Sequence, residues 1–107
     1  MSYLLGIDVG TTRTAAAICR PGARPSGGEM VPLGERSAAA PSVLRVGDDG
    51  GLLMGEAAER RAVSEPDRVV REFKRRIGDP TPLLVGGRPW TPEDLSARLV
   101  RWVVDRA

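Results

Sequence analysis

Gly6-Ile7-Asp8-Val9-Gly10-Thr11-Thr12 covers the end of one apolar run, Tyr3 to Val9, and leads to a second, Thr14 to Cys19. Both runs are short and read as buried strands, and their spacing is that of a hairpin. The segment lacks the lysine of a Walker loop, and a strand-like run rather than a helix follows it. Gly10 lets the backbone turn tightly and approach a ligand with no Cβ in the way. Thr11 and Thr12 add hydroxyls beside backbone N–H groups, a concave set of donors suited to phosphate oxygens. Asp8, at the strand end, repels phosphate directly but is able to hold a Mg²⁺ shell through water. From these residues alone two readings stand side by side: a phosphate loop, or a hairpin turn whose Asp, Gly and Thr satisfy backbone groups.

Working outward, Pro21 to Gly28 is rich in Gly and Pro and reads as a loop, and Glu29 to Leu33 is a candidate third strand. Pro41 to Val46 and Leu52 to Met54 flank Gly47-Asp48-Asp49-Gly50-Gly51, a second hairpin. Glu56 to Val63 is a short helix candidate. Ser64-Glu65-Pro66-Asp67 resembles a helix opening, after which Val69, Phe73 and Ile77 place one apolar stripe on a helix that Gly78 stops. Leu83 to Val85 and Arg88 to Trp90 surround Gly86-Gly87, a third hairpin. Thr91-Pro92-Glu93-Asp94 opens a last helix with a capping hydroxyl, a proline in the first turn and acids behind it. That helix carries Leu95, Leu99, Trp102 and Val103 on one face and stops without punctuation, which suggests a sequence cut short.

The 107 residues are the size of one ordinary domain, and 41% apolar with 28% charged residues argues against wholesale disorder. A formal charge of +2 is too small to imply a nucleic-acid or membrane partner. Arg68 to Arg76 is basic, but Glu72 interrupts it and its single aromatic, Phe73, does not make the interleaved series that base stacking needs. Cys19 is the single cysteine, so the chain forms neither an internal disulfide nor a cysteine metal cluster. No leader-like segment opens the chain and no run approaches the length of a membrane span, so the expected location is cytoplasmic.

Gly6 to Thr12 resembles the first phosphate motif of the actin, sugar-kinase and heat-shock ATPase superfamily. The rest of the chain narrows the resemblance. Pro41-Ser42-Val43, Gly55-Glu56-Ala57-Ala58-Glu59-Arg60-Arg61-Ala62-Val63, Phe73-Lys74-Arg75-Arg76-Ile77-Gly78 and Thr91-Pro92-Glu93-Asp94-Leu95-Ser96-Ala97 follow in the order and spacing of DnaK-like chaperones. The chain is similar, over nearly its whole length, to the N-terminal part of the nucleotide-binding domain of the seventy-kilodalton heat-shock family.

That resemblance implies an α/β fold: a partial ribonuclease-H-like lobe begun by residues 1–40, a small α+β subdomain over 41–90, and a helix over 91–107 returning toward the first lobe. It implies ATP or ADP and Mg²⁺ as cofactors. Gly10, Thr11 and Thr12 would wrap phosphates with Arg13 beside them, Asp8 would serve the metal through water, and Lys74 would be the catalytic lysine, offsetting charge in the transition state. Taken without the family, Lys74 is a solvated cation among Arg71, Arg75 and Arg76. Client polypeptides and co-chaperones are the partners implied for a longer parent, with no nucleic acid or membrane.

Three departures from the family pattern point to a divergent member: Arg13 after the threonines, Ser37-Ala38-Ala39-Ala40 ahead of Pro41, and a short span from Gly78 to Leu83. The second phosphate loop, catalytic glutamate and adenosine pocket of the family have no counterpart in these residues, so the segment is expected to be a fragment, inactive alone and prone to self-association through its final helix and the unpaired strand edges of its first sheet. The alternatives are a non-catalytic binding module derived from the same family and, further off, a sugar-kinase-type phosphotransferase.

Overall fold

The computed structural model describes residues 3–20, 22, 28–34 and 37–107. Most of the expected loop from Pro21 to Gly28 therefore lies outside the described residues. The architecture is mixed α/β with antiparallel sheets, and it begins with a hairpin. β1 (Leu4–Val9) and β2 (Arg13–Cys19) pair from Leu4↔Cys19 to Val9↔Thr14. β3 (Glu29–Met30) pairs with one end of β2, and β4 (Ala40–Pro41) pairs with the other, through Arg13↔Pro41 and Thr14↔Ala40. Alternation along β1 turns Leu5, Ile7 and Val9 inward and leaves Leu4, Gly6 and Asp8 on the exposed face.

The run expected as one strand from Pro41 to Val46 is two. Ser42 separates β4, which belongs to the first sheet, from β5 (Val43–Val46), the centre of a second sheet. β5 is flanked by β6 (Leu52–Met54) and β7 (Val69–Arg71), both antiparallel to it. α1 (Glu56–Arg61) follows β6, and its Ala58 is buried. β8 (Leu83–Val85) and β9 (Arg88–Trp90) form the third hairpin, whose Gly86 and Gly87 both take positive φ, 61° and 79°, as a two-residue hairpin turn demands.

The helix expected after Ser64 does not form. Pro66–Arg68 makes a single 3-10 turn, β7 follows, and Phe73–Arg76 makes another 3-10 turn. Val69 and Val70 are β-branched and fit the pleated edge offered by β5, through Arg45↔Val69 and Leu44↔Val70. Glu72 then takes a left-handed conformation, φ 56° and ψ 24°, which breaks any helical path. Phe73 is buried while Ile77 is exposed, so the four-residue spacing does not mark one face.

The last helix, α2 (Pro92–Arg106), starts as its sequence indicates. The Thr91 hydroxyl accepts the Asp94 N–H at 3.0 Å, and Pro92 occupies the first turn. Leu95 and Leu99 pack with Leu44 and Phe73 in one apolar cluster. Val103 packs with Ala16, Val31, Leu33 and Ala40 in another. Trp102 lies against both clusters, with the Arg106 guanidinium 4.7 Å above its ring. The stripe expected to draw in a second copy is thus covered by the chain's own residues: Leu95, Leu99 and Val103 are 0% exposed. That stripe supplies no bare apolar face for self-association, and Val104 is the one large apolar residue the helix exposes.

Three ion pairs hold the segment before β7, two of them reaching β5 and the turn that follows it. Arg45 donates to Glu65 at 2.7 Å, Arg61 approaches the other oxygen of Glu65 at 3.4 Å, and Arg68 pairs with Asp48. The hydrogen bond from Arg45 holds the Glu65 carboxyl below the ordinary glutamate range. A lowered folded-state pKa gives stability that is present above the unfolded value and lost as pH falls through the folded one. Chemical denaturation is expected to show stability declining as pH drops below about 4.5, with a shallower decline in Glu65→Gln. In the core, Leu99→Ala is expected to cost about 2–5 kcal/mol in the same assay at neutral pH, because the residue is fully enclosed.

Candidate functional site

Gly10, Thr11 and Thr12 form the turn between β1 and β2, a strand-to-strand loop as its sequence indicates. The Gly10 N–H closes the turn on the Arg13 carbonyl at 2.9 Å. A Cβ on Gly10 would lie 2.6 Å from that carbonyl oxygen, so only glycine fits without moving backbone.

The loop is held from one side by Ser42. The Ser42 hydroxyl donates to the Gly10 carbonyl at 2.9 Å, and the Ser42 N–H donates to the Thr12 carbonyl at 2.9 Å. The Thr14 and Ser42 hydroxyls meet at 2.8 Å, both side chains being buried. The loop's donors are left over. Among the described residues, the N–H groups and hydroxyls of Thr11 and Thr12 have no hydrogen-bond acceptor. Two carbonyls are spent inward and two amides and two hydroxyls remain for a ligand, which is the polarity an anion needs.

A cleft of about 200 Å³ opens beside this loop, lined by Thr11, Thr12, Arg13 and Ser42 on one side and Glu59, Arg71 and Glu72 on another. Sites that enclose a whole small molecule usually occupy roughly 300–1,000 Å³. This one has room for a phosphate group or two. Arg13 and Arg71 bring positive charge to the rim, and neither is ion-paired among the described residues.

The other predicted residues stand apart from the cleft. Asp8 lies on the exposed face of β1 opposite Ala15, in a shallow concavity floored by Gly6, Ala15 and Ala17 and bordered by Met30. Lys74 is exposed on the 3-10 turn two residues beyond Glu72, which does line the cleft. The structure brings Thr11, Thr12 and Arg13 together and leaves Asp8 and Lys74 outside their immediate group. Arg71 and Glu72 carry no motif of their own, and Glu59 falls inside the Gly55 to Val63 stretch with no site role assigned to it. Ser42 had two available signals, its place in the Pro41-Ser42-Val43 stretch and a hydroxyl inside a largely apolar strand run.

Comparison with known proteins identifies the family. A family model described as Hsp70 protein matches residues 4–82, a span that includes the loop, Ser42 and Lys74. The chain belongs to the Hsp70 family. A "Chaperone protein DnaK" of Endomicrobium trichonymphae is 38% identical over 105 residues, covering 94% of this chain and 16% of that protein. A "Chaperone protein DnaK" of Elusimicrobium minutum (strain Pei191) is 36% identical over 107 residues, 96% of this chain and 17% of the relative. The chain thus spans about a sixth of the length of these DnaK relatives. Within the Hsp70 family it corresponds to the N-terminal part of the nucleotide-binding region, and membership brings with it the actin-type ATPase fold class.

Gly10→Ala is expected to push the Arg13 carbonyl outward and displace the amide resonances of Thr11 and Thr12. Nitrogen-15 correlation spectra of the two forms would show it, and unchanged Thr11 and Thr12 peaks would mean the turn relaxes freely.

Proposed function

We propose that this chain supplies the first phosphate-binding loop of an Hsp70-type ATP hydrolase whose nucleotide cycle drives protein folding or its regulation. One observation carries the reading: the carbonyls of Gly10 and Thr12 are tied to Ser42 while the N–H groups and hydroxyls of Thr11 and Thr12 remain unspent. An anion with several acceptor oxygens matches that set, and Arg13 and Arg71 add charge beside it. In family context the anion is the phosphate chain of ATP or ADP.

Asp8 fits a water-mediated part in holding Mg²⁺, since it presents an exposed carboxylate near the turn. No group of three or more His, Cys, Asp or Glu among the described residues could ligate a metal directly. The metal, when bound, neutralises phosphate charge. Lys74 lies beyond the cleft wall formed by Arg71 and Glu72, and its ammonium would offset charge gathering on the terminal phosphoryl oxygens in the transition state. The hairpin sheet is read as the beginning of a ribonuclease-H-like lobe over residues 1–40, with 41–90 as an inserted subdomain and 91–107 as the returning helix. The location proposed is cytoplasmic, which accords with no helix among the described residues being long and apolar enough to cross a membrane. Client chains and co-chaperones are the partners proposed for a longer parent.

The test is kinetic. In a full-length family member carrying these residues, Lys74→Ala is expected to lower single-turnover ATP hydrolysis by about 10²-fold or more while changing nucleotide affinity little. The 107-residue chain alone is expected to hydrolyse no ATP above background. Unaltered single-turnover rates would return Lys74 to a solvated surface. Turnover by the short chain that vanishes in Asp8→Asn would show a more complete site.

A further inference from the structure

Ser42 carries one hydroxyl proton, and the geometry gives it to the Gly10 carbonyl at 2.9 Å. The Thr14 hydroxyl, 2.8 Å away, must then be the donor in its pair with Ser42. The bonds run in one direction: Thr14 to Ser42 to Gly10. Both side chains are enclosed; the Thr14–Ser42 bond is buried and the Ser42–Gly10 bond partly so, which limits competition from water. We propose that Ser42 is the positioning residue of the phosphate loop, fixing through this two-hydroxyl relay the orientation of the Gly10–Thr11 peptide.

The inference rests on the reading of that loop as an anion site. In a trans peptide the carbonyl and the following N–H point in opposite directions. Holding the Gly10 carbonyl toward Ser42 therefore turns the Thr11 N–H away from Ser42 and leaves it available as a donor. The Ser42 backbone N–H fixes the Thr12 carbonyl in the same way, so one residue grips the loop at both ends. A buried serine kept only to satisfy its own hydroxyl needs a single partner. Ser42 has two hydroxyl partners, 28 and 32 residues away in the chain, and both belong to the loop or to the strand that leaves it. Without the hydroxyl, the Gly10 carbonyl loses its buried donor and the peptide is free to rotate, offering an oxygen where the anion needs a proton.

The experiment titrates inorganic pyrophosphate into the nitrogen-15-labelled 107-residue chain, comparing wild type with Ser42→Ala, Thr14→Val and Thr14→Ser. Ser42→Ala is expected to bind about tenfold more weakly and to displace the Thr11 amide resonance in the free protein. Thr14→Val, which removes the head of the relay but leaves the bond to Gly10, is expected to show a smaller loss. Thr14→Ser restores the hydroxyl and is expected to match wild type. A drop in melting temperature with unchanged pyrophosphate affinity and an unmoved Thr11 amide would overturn the proposal, leaving Ser42 a purely structural hydroxyl. Should Ser42→Ala fail to fold, the Thr14 pair decides, and equal binding by the Val and Ser forms refutes the relay. If wild type ignores pyrophosphate while Ser42→Ala still displaces the Thr11 amide, the anion reading falls and the clamp stands.

Discussion

The buried hydroxyl of Ser42 sits where the chain passes from one sheet to the next, and much of the structure is organised around that crossing. On the near side, β4 completes the pairing of β2; on the far side, β5 becomes the centre of the second sheet. A polar side chain at such a point is costly unless its hydrogen bonds are made, and here each is made to the first hairpin. The same bonds that satisfy the crossing also shape the turn at Gly10. Fold and site share one set of contacts, so the loop's form follows from how the two sheets are joined.

The hairpins were legible because their signals are local. Asp48-Asp49-Gly50 and Gly86-Gly87 dictate backbone angles within a few residues, and the structure places turns at both. The start of α2 was legible for the same reason, as Thr91 and Pro92 act on the very groups beside them. The stretch from Ser64 to Ile77 was not. Its apolar spacing matches a helix, yet Val69 and Val70 gain more by pairing with β5, an edge that sequence periodicity does not reveal. The candidate site divides similarly: Gly10 to Thr12 announces itself by composition, whereas Glu59, Arg71 and Glu72 reach the cleft only through the path of β7 and the placement of α1.

The cleft itself is mixed in charge. Arg13 and Arg71 face the same space as Glu59 and Glu72, so the attraction for an anion is partly offset. Hydrogen bonds to a charged group contribute about 1.5–3 kcal/mol each, and an open cleft screened by solvent realises the lower end. This division of labour suits a site that is one wall of a larger one: directional donors set the geometry, and the net field is left for other parts of the binding surface to supply. Glu72 holds the left-handed conformation in that wall, a strained choice for a residue with a Cβ, and it sets the direction in which Phe73 enters the core and Lys74 leaves it.

α2 lies across both apolar clusters, with Leu95 and Leu99 in one and Val103 in the other. In folding terms it is a shared lid, so neither sheet can open without uncovering part of the same helix. The two halves should therefore come apart together, and the amides at the middle of α2 should exchange with solvent only when the whole chain unfolds. A helix that couples the halves in this manner also acts as a rigid lever: a tilt imposed at its Leu95 end is felt at Val103 beneath the first hairpin, without any side chain near Gly10 having to move first.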